Sequence, residues 1–142
     1  LSGARAEDGD LVMATIKKFQ ASGAVAANTI VKLDGNSQTE NATDVDEVAV
    51  LGVQLNATTT AGDTAYVCVQ GECLVTAGEA VTPNEEIRPG AGGKAFGSDT
   101  PGDVAIGVYY GELSDGSYTT VGVNDLITVF LHDNKAYVRP SE

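Results

Sequence analysis

Few side chains in this 142-residue sequence are of a type and spacing that do chemistry. The one histidine, His132, stands beside Asp133 at the end of the apolar run LITVFL. Acyl transfer needs a base next to a nucleophile, and a lone strand-end histidine with an aspartate reads as a solvated terminus of that strand. Asp44, Asp46 and Glu47 are of the type that ligates hard cations, and Asp34-Gly35-Asn36 resembles the start of a calcium loop. The twelve-residue loop with its closing glutamate is absent, so these read as solvated acidic loops. GAGGK at 90–94 lacks the spacing and the Ser/Thr of a phosphate-binding loop. Acids are plentiful, yet nothing singles out two of them as a glycosidase pair. The residues therefore assign no catalytic or metal site and no cofactor, and the chain is not expected to be an enzyme.

Cys68 and Cys73 are the only cysteines. A two-residue turn at Gln70-Gly71 would set them opposite each other on the two arms of a hairpin, side chains on one face. Two states fit that geometry, a pair of reduced thiols or a disulfide. A zinc site would need more ligands than the two sulfurs supply.

The elements that would carry these residues are strands. TIVKL (29–33) is closed by the turn signal Asp34-Gly35-Asn36. VAVLGVQL (48–55) is a nearly continuous apolar run with a central glycine, the pattern of a strand buried on both faces or sharply bent. The stretch 62–89 reads as a hairpin, its first strand at 65–69 and its turn at Gln70-Gly71, followed by a barrel-like strand. Residues 87–103, rich in Gly, Pro, Ser and Asp, read as loop. VAIGVYY (104–110) echoes the earlier run, with Leu51-Gly52-Val53 matched by Ile106-Gly107-Val108. Each copy leads through a polar, glycine-containing loop to a β-rich strand, a weak two-copy pseudo-repeat. Strict alternation places Tyr109 and Tyr110 on opposite faces.

The length suits one domain, and 17 glycines, no tryptophan and 6% aromatics point to a core of Val, Leu, Ile and Ala between tight turns. That favours an all-β fold. A net charge of −12 disfavours direct contact with nucleic acid or an anionic membrane. No apolar run reaches the roughly 18 to 20 residues that span a bilayer. Residues 1–19 differ from the rest: Arg5, Lys17 and Lys18 balance Glu7, Asp8 and Asp10, and the body from Gln20 onward carries the whole charge. They read either as an extended arm ordered against a partner or as a first edge strand of the body.

The order of segments, ASGAVAANTIVKLDG, then VAVLGVQL through Lys94-Ala95-Phe96, then IGVYYG and LITVFL, resembles the small capsid decoration (cement) proteins of tailed bacteriophages. The motifs that carry it are Leu51-Gly52-Val53, Gly62-Asp63 before a strand, Gly71 opening a strand that ends at Ala77-Gly78, Ala80-Val81-Thr82, the glycine-rich loop before Lys94-Ala95, and Ile106-Gly107-Val108. The resemblance implies a compact single-domain β-barrel or β-tulip at 20–142 with an extended N-terminal arm at 1–19. It also implies a homotrimer on the outer surface of the virion capsid that bridges major capsid subunits, stabilises the expanded head and has no catalytic activity. The cysteine pair and the long 87–103 segment depart from the family pattern.

On that reading Leu11, Val12, Met13 and Ile16 of the arm pack on a neighbouring shell or decoration subunit, while Lys17 and Lys18 pair with its acids. The apolar runs VAIGVYY and LITVFL supply more apolar surface than a monomer hides, which also points to association of copies. A secreted or surface β-sandwich module for adhesion or carbohydrate binding has the same composition and is the alternative.

Overall fold

The computed structural model describes residues 3–5, 11–43, 49–98, 105–114, 117–119 and 121–132. Their strands are β1 (Gly3–Arg5), β2 (Leu11–Ala21), β3 (Thr29–Leu33), β4 (Gln38–Asn41), β5 (Val50–Gln54), β6 (Thr64–Thr76), β7 (Glu85–Pro89), β8 (Ala95–Gly97), β9 (Gly107–Tyr109), β10 (Glu112–Ser114), β11 (Ser117–Thr119) and β12 (Leu126–Leu131). A single 3-10 turn at Ala91–Gly93 is the only helical element among the described residues. The fold is all-β, as expected. The strands TIVKL and LITVFL stand where β-branched content and turn signals place them.

Five strands close a barrel. β2 runs parallel to β4, β4 pairs with β3, β3 with β5, β5 with β6, and β6 returns antiparallel to β2 from Gln20–Thr64 to Ala14–Gly71. Gly71 has Ala14 on one side and Leu131 on the other, so β12 continues the sheet along the edge of β6 opposite β2. From there β12 pairs with β9, β9 with β7 and β7 with β8. The parallel bridge Ala77–Ala95 brings β8 back beside the end of β6 and closes a second ring.

The second ring repeats the first, bond for bond. Val25 bridges Thr58, and Val81 bridges Val121. The Asn28 N–H donates to the Gln54 carbonyl at 2.7 Å, and the Asn84 N–H to that of Tyr109 at 2.6 Å. Ala42 donates to Ile30, and Ser98 to Glu86. Gly62 donates to Ala21, and Asn124 to Ala77. Three strands start after the same turn: Asp63 donates to Thr60, Glu85 to Thr82 and Asp125 to Gly122, with Gly62, Asn84 and Asn124 at positive φ in the third position. That is type II geometry, which glycine and asparagine tolerate. Side chains lock the turns, since the Asp63, Glu85 and Asp125 carboxylates accept from the backbone N–H of the residue three before. The Thr59 and Thr60 amides bonded to its carboxylate hold Asp63 below the usual aspartate pKa.

The pseudo-repeat seen in sequence is thus the trace of two barrels of one topology, and its glycines have a common cause. A Cβ on Gly52 would overlap the carbonyl oxygen of Cys68, and one on Gly107 would come within 2.5 Å of that of Phe130. Each glycine lets its strand approach the next barrel strand closely.

The barrels share β6, whose first half closes the first ring and whose second half opens the second. This overturns the hairpin expected at Gln70-Gly71. Gly71 has φ +94°, and the β2–β6 register slips beside it between Thr15 and Ile16. The glycine therefore bends a continuing strand, each half of which pairs with a different neighbour. Cys68 and Cys73, five residues apart on one strand, are separated by roughly 16 Å at strand rise. No disulfide joins them, because a bridge needs Cα atoms within about 7 Å. Peptide mapping without reductant should return the Cys68 and Cys73 peptides as separate thiols, and a Cys68–Cys73 cross-link would contradict the continuous β6.

Two other expectations are corrected. The boundary placed at residue 19 falls inside β2, whose residues 14–20 are a wall of the first barrel. The edge-strand reading therefore holds for that half, and β1 pairs with 11–13. The segment 87–103, read as loop, begins with the β7–β8 hairpin, in which Arg88 stacks on Phe96 at 5.1 Å. Glycine and proline content hid strands that are short.

The barrel interiors differ in chemistry. In the first, Ala21, Val25, Val31, Ala65 and Val67 are buried, and the fully buried Gln54 lies among polar partners. Its Oε1 accepts from Thr39 Oγ1 at 2.7 Å, and its Nε2 donates to the Asn56 carbonyl at 2.9 Å and to Thr58 Oγ1 at 3.2 Å. Thr58 Oγ1 in turn donates to the Gly23 carbonyl. A buried amide so satisfied avoids the desolvation cost of an orphaned group. At the matching places the second barrel has Ala95 and Tyr109, and its interior of Val75, Val81, Ile87, Ile106, Ile127, Val129 and Leu131 is apolar.

Candidate interaction surfaces

Alternation that fills the barrels also decides what faces out. On the first barrel the outward Ile30, Val53 and Cys68 are fully buried and join the cluster that fills the second barrel. Gly93, in the turn between β7 and β8, lies against Asn41 and the Ile30 carbonyl. The covalent tie across this seam is β6 itself, reinforced where Asn28 Nδ2 donates to the Leu74 carbonyl and the Thr76 N–H to that of Asn28.

The matching row on the second barrel, Glu86, Val108 and Phe130, is not covered in this way. Phe130 is 42% exposed, and Tyr110, which corresponds to the half-buried Leu55, is 58% exposed. Leu74 and Leu126 extend the apolar face. Glu72, Tyr110, Gly111, Thr128 and Phe130 line a shallow cavity of about 330 Å³, in which Glu72 stands directly across from Phe130 in the β6–β12 register. Tyr109 is buried and Tyr110 exposed, as alternation requires.

A second exposed face lies on the β2–β6 side of the first barrel. Ile16 is 47% and Tyr66 48% exposed, and the exposed Lys18 stands on the same side, whereas Lys17 pairs with the inward Val67 and takes the opposite side of β2. Lys18 is the register partner of Tyr66. Ile16 and Lys18, assigned to contact from the sequence, are thus together on an accessible surface carried by a barrel wall, while Lys17, also exposed, lies on the other side of that strand. The backbone of Leu11, Val12 and Met13 pairs with β1, while their side chains lie outside what the structure describes. Sequence reasoning gave Tyr66 and Leu74 no contact role and named Tyr110, Leu126 and Phe130 for association only as members of the apolar runs 104–110 and 126–131. The in-out alternation of 126–131 is the signal that would have found Phe130.

His132 is half-buried, and its backbone N–H donates to the Ile106 carbonyl. Asp133, Asp44, Asp46 and Glu47 lie outside the described residues. Among the described residues, no group of three or more His, Cys, Asp or Glu side chains comes together.

No known protein family matches the sequence, and no curated protein matches it. Among solved structures the chain is similar to the N base of head fiber gp8.5 of bacteriophage phi29. The TM-score is 0.61 at 17% identity, covering 87% of this chain and 98% of that one. At that identity the likeness is one of fold.

Proposed function

We propose that this chain is a non-catalytic structural protein of a tailed-phage virion, attached to the outer surface of the head. The observation that carries the reading is that the fold matches the base of a phage head fiber over nearly its whole length. A second line is independent of it, namely the motif order that resembles head decoration proteins. Two barrels welded through one continuous strand make a rigid body with apolar faces left open, which suits a part that bears load between neighbours.

In this reading the protein associates as a homotrimer, binds the major capsid protein and stabilises the shell by bridging its subunits. The strand β2, with Ile16, Lys17 and Lys18, contacts a neighbouring subunit. Neither nucleic acid nor membrane is a partner, in keeping with the net charge of −12.

Co-sedimentation with expanded and unexpanded heads tests it. The protein is expected to pellet with expanded heads at saturating, stoichiometric occupancy. Absence from both pellets would remove the reading, and affinity for a glycan in the same experiment's supernatant would favour the adhesion alternative.

A further inference from the structure

We propose that the open face of the second barrel, centred on Phe130 and Tyr110, receives the first barrel of another copy of this chain through the face formed by Ile16, Tyr66 and Lys18. The inference rests on the reading that copies associate, and it is independent of what they attach to.

The internal repeat supplies the first argument. Within one chain, the outward row Ile30, Val53 and Cys68 of the first barrel is buried in the cluster formed with the second. The equivalent row of the second barrel keeps an aromatic, Phe130, and has a tyrosine, Tyr110, beside it, both about half exposed. A surface built to be covered by a barrel in one repeat is left open in the other, and another barrel of the same chain fits its topology.

Charge supplies the second argument and decides which barrel that is. At matched positions on the strand that opens each ring, the first barrel has Ile16, Lys17 and Lys18 where the second has Glu72, Cys73 and Leu74. The open face therefore carries Glu72 at its apolar centre. Two copies meeting through this same face would bring their acids together, in a chain already at −12. Like charges at a contact are costly, while opposite charges set its register. The Ile16 face offers apolar side chains of similar exposure with one cation, Lys18, as the register partner of Tyr66. Such a contact is heterologous, each copy using one face to give and the other to receive, and it closes a ring when the rotation between copies closes.

Analytical ultracentrifugation of four proteins tests this: the full chain, Phe130→Asp, Tyr66→Asp, and an equal mixture of the two variants. All three chains should keep the same cooperative thermal transition, because both positions are about half exposed. Aromatic anchors at the centre of a contact dominate its energy. Each variant alone should therefore show a self-association constant weakened about thirtyfold or more. The mixture should form a two-chain species and stop there, because only one intact pair of faces is available. Loss of association in Phe130→Asp with wild-type behaviour in Tyr66→Asp would establish a symmetric contact and overturn the proposal. Unchanged association in both would show that copies meet elsewhere.

If an aspartate disturbs folding, charge exchange replaces it. Glu72→Lys and Lys18→Glu should each weaken association, and both changes in one chain should restore it. Failure to restore would count against the pairing. A wild-type chain that stays monomeric at every concentration would instead overturn self-association itself, and binding of that monomer to heads would then be scored separately.

Discussion

Deleting residues 1–18 is expected to abolish cooperative folding of the first barrel. The deletion leaves only Phe19–Ala21 of β2, the strand that pairs with β6 from Ala14 to Gln20 and with β4 at its end. Without it the ring opens along β6, and Ala65, Val67 and the half-buried Val69 face water. Burial of side chains of this kind contributes about 1.5 to 3 kcal/mol each for the larger ones, set against a net stability of about 5 to 15 kcal/mol for a domain. Circular dichroism and limited proteolysis would register the loss. Removing only residues 1–10, which takes away β1 and its pairing with Leu11–Met13, should leave a cooperative transition. A folded 19–142 fragment with an unchanged midpoint would show that the strand is an appendage after all. It follows that loss of head binding on deleting 1–18 would not by itself report on an arm, and contact through this strand is better probed at Ile16, Lys17 and Lys18 in the intact chain.

The second large effect concerns the paired glycines. Gly52→Ala and Gly107→Ala are each expected to destabilise the chain by about 3 kcal/mol or more, at the upper end for overpacking. In both cases the new methyl group meets the backbone of the adjoining strand, which cannot swing aside as a side chain can. Gly23→Ala is the control, since nothing lies within 4 Å of a Cβ there, and its effect should stay within about 0.5 kcal/mol. Urea unfolding of the three variants under one set of conditions decides the matter. Equal midpoints for Gly52→Ala and Gly23→Ala would mean that β5 and β6 relax apart, and that close approach at these positions is not what holds the rings together.

These glycines also mark how far the sequence could be read. Leu51-Gly52-Val53 and Ile106-Gly107-Val108 stand out as a repeated pattern with no structure in hand. Asn28, Gly62, Asn84 and Asn124 carry the local chemistry of turns, because a left-handed residue there is a property of a few adjacent peptide units. The β-branched runs at 29–33 and 126–131 define strands for the same reason, since alternation and branching act within the segment. The all-β character and the in-out split of Tyr109 and Tyr110 were legible at this level.

What the sequence did not determine is which strand lies beside which. Gln70-Gly71 carries the local signature of a turn, yet β2 on one side and β12 on the other hold the chain as one continuing, bent strand through it. Pairings between residues as distant as Ala14 and Gly71 depend on closing a ring, which no short window contains. The same holds for β2: seven residues with modest apolar content read as arm or as strand, and only the open edges of β4 and β6 settle the choice. Gln54 offers the last case. A glutamine ending an apolar run gives no sign of being fully buried, because its partners Thr39 and Thr58 reach it only when the first barrel closes around them. Local conformation was written in neighbouring residues, while strand order, the shared β6 and the open faces followed from where two similar rings found room to pack.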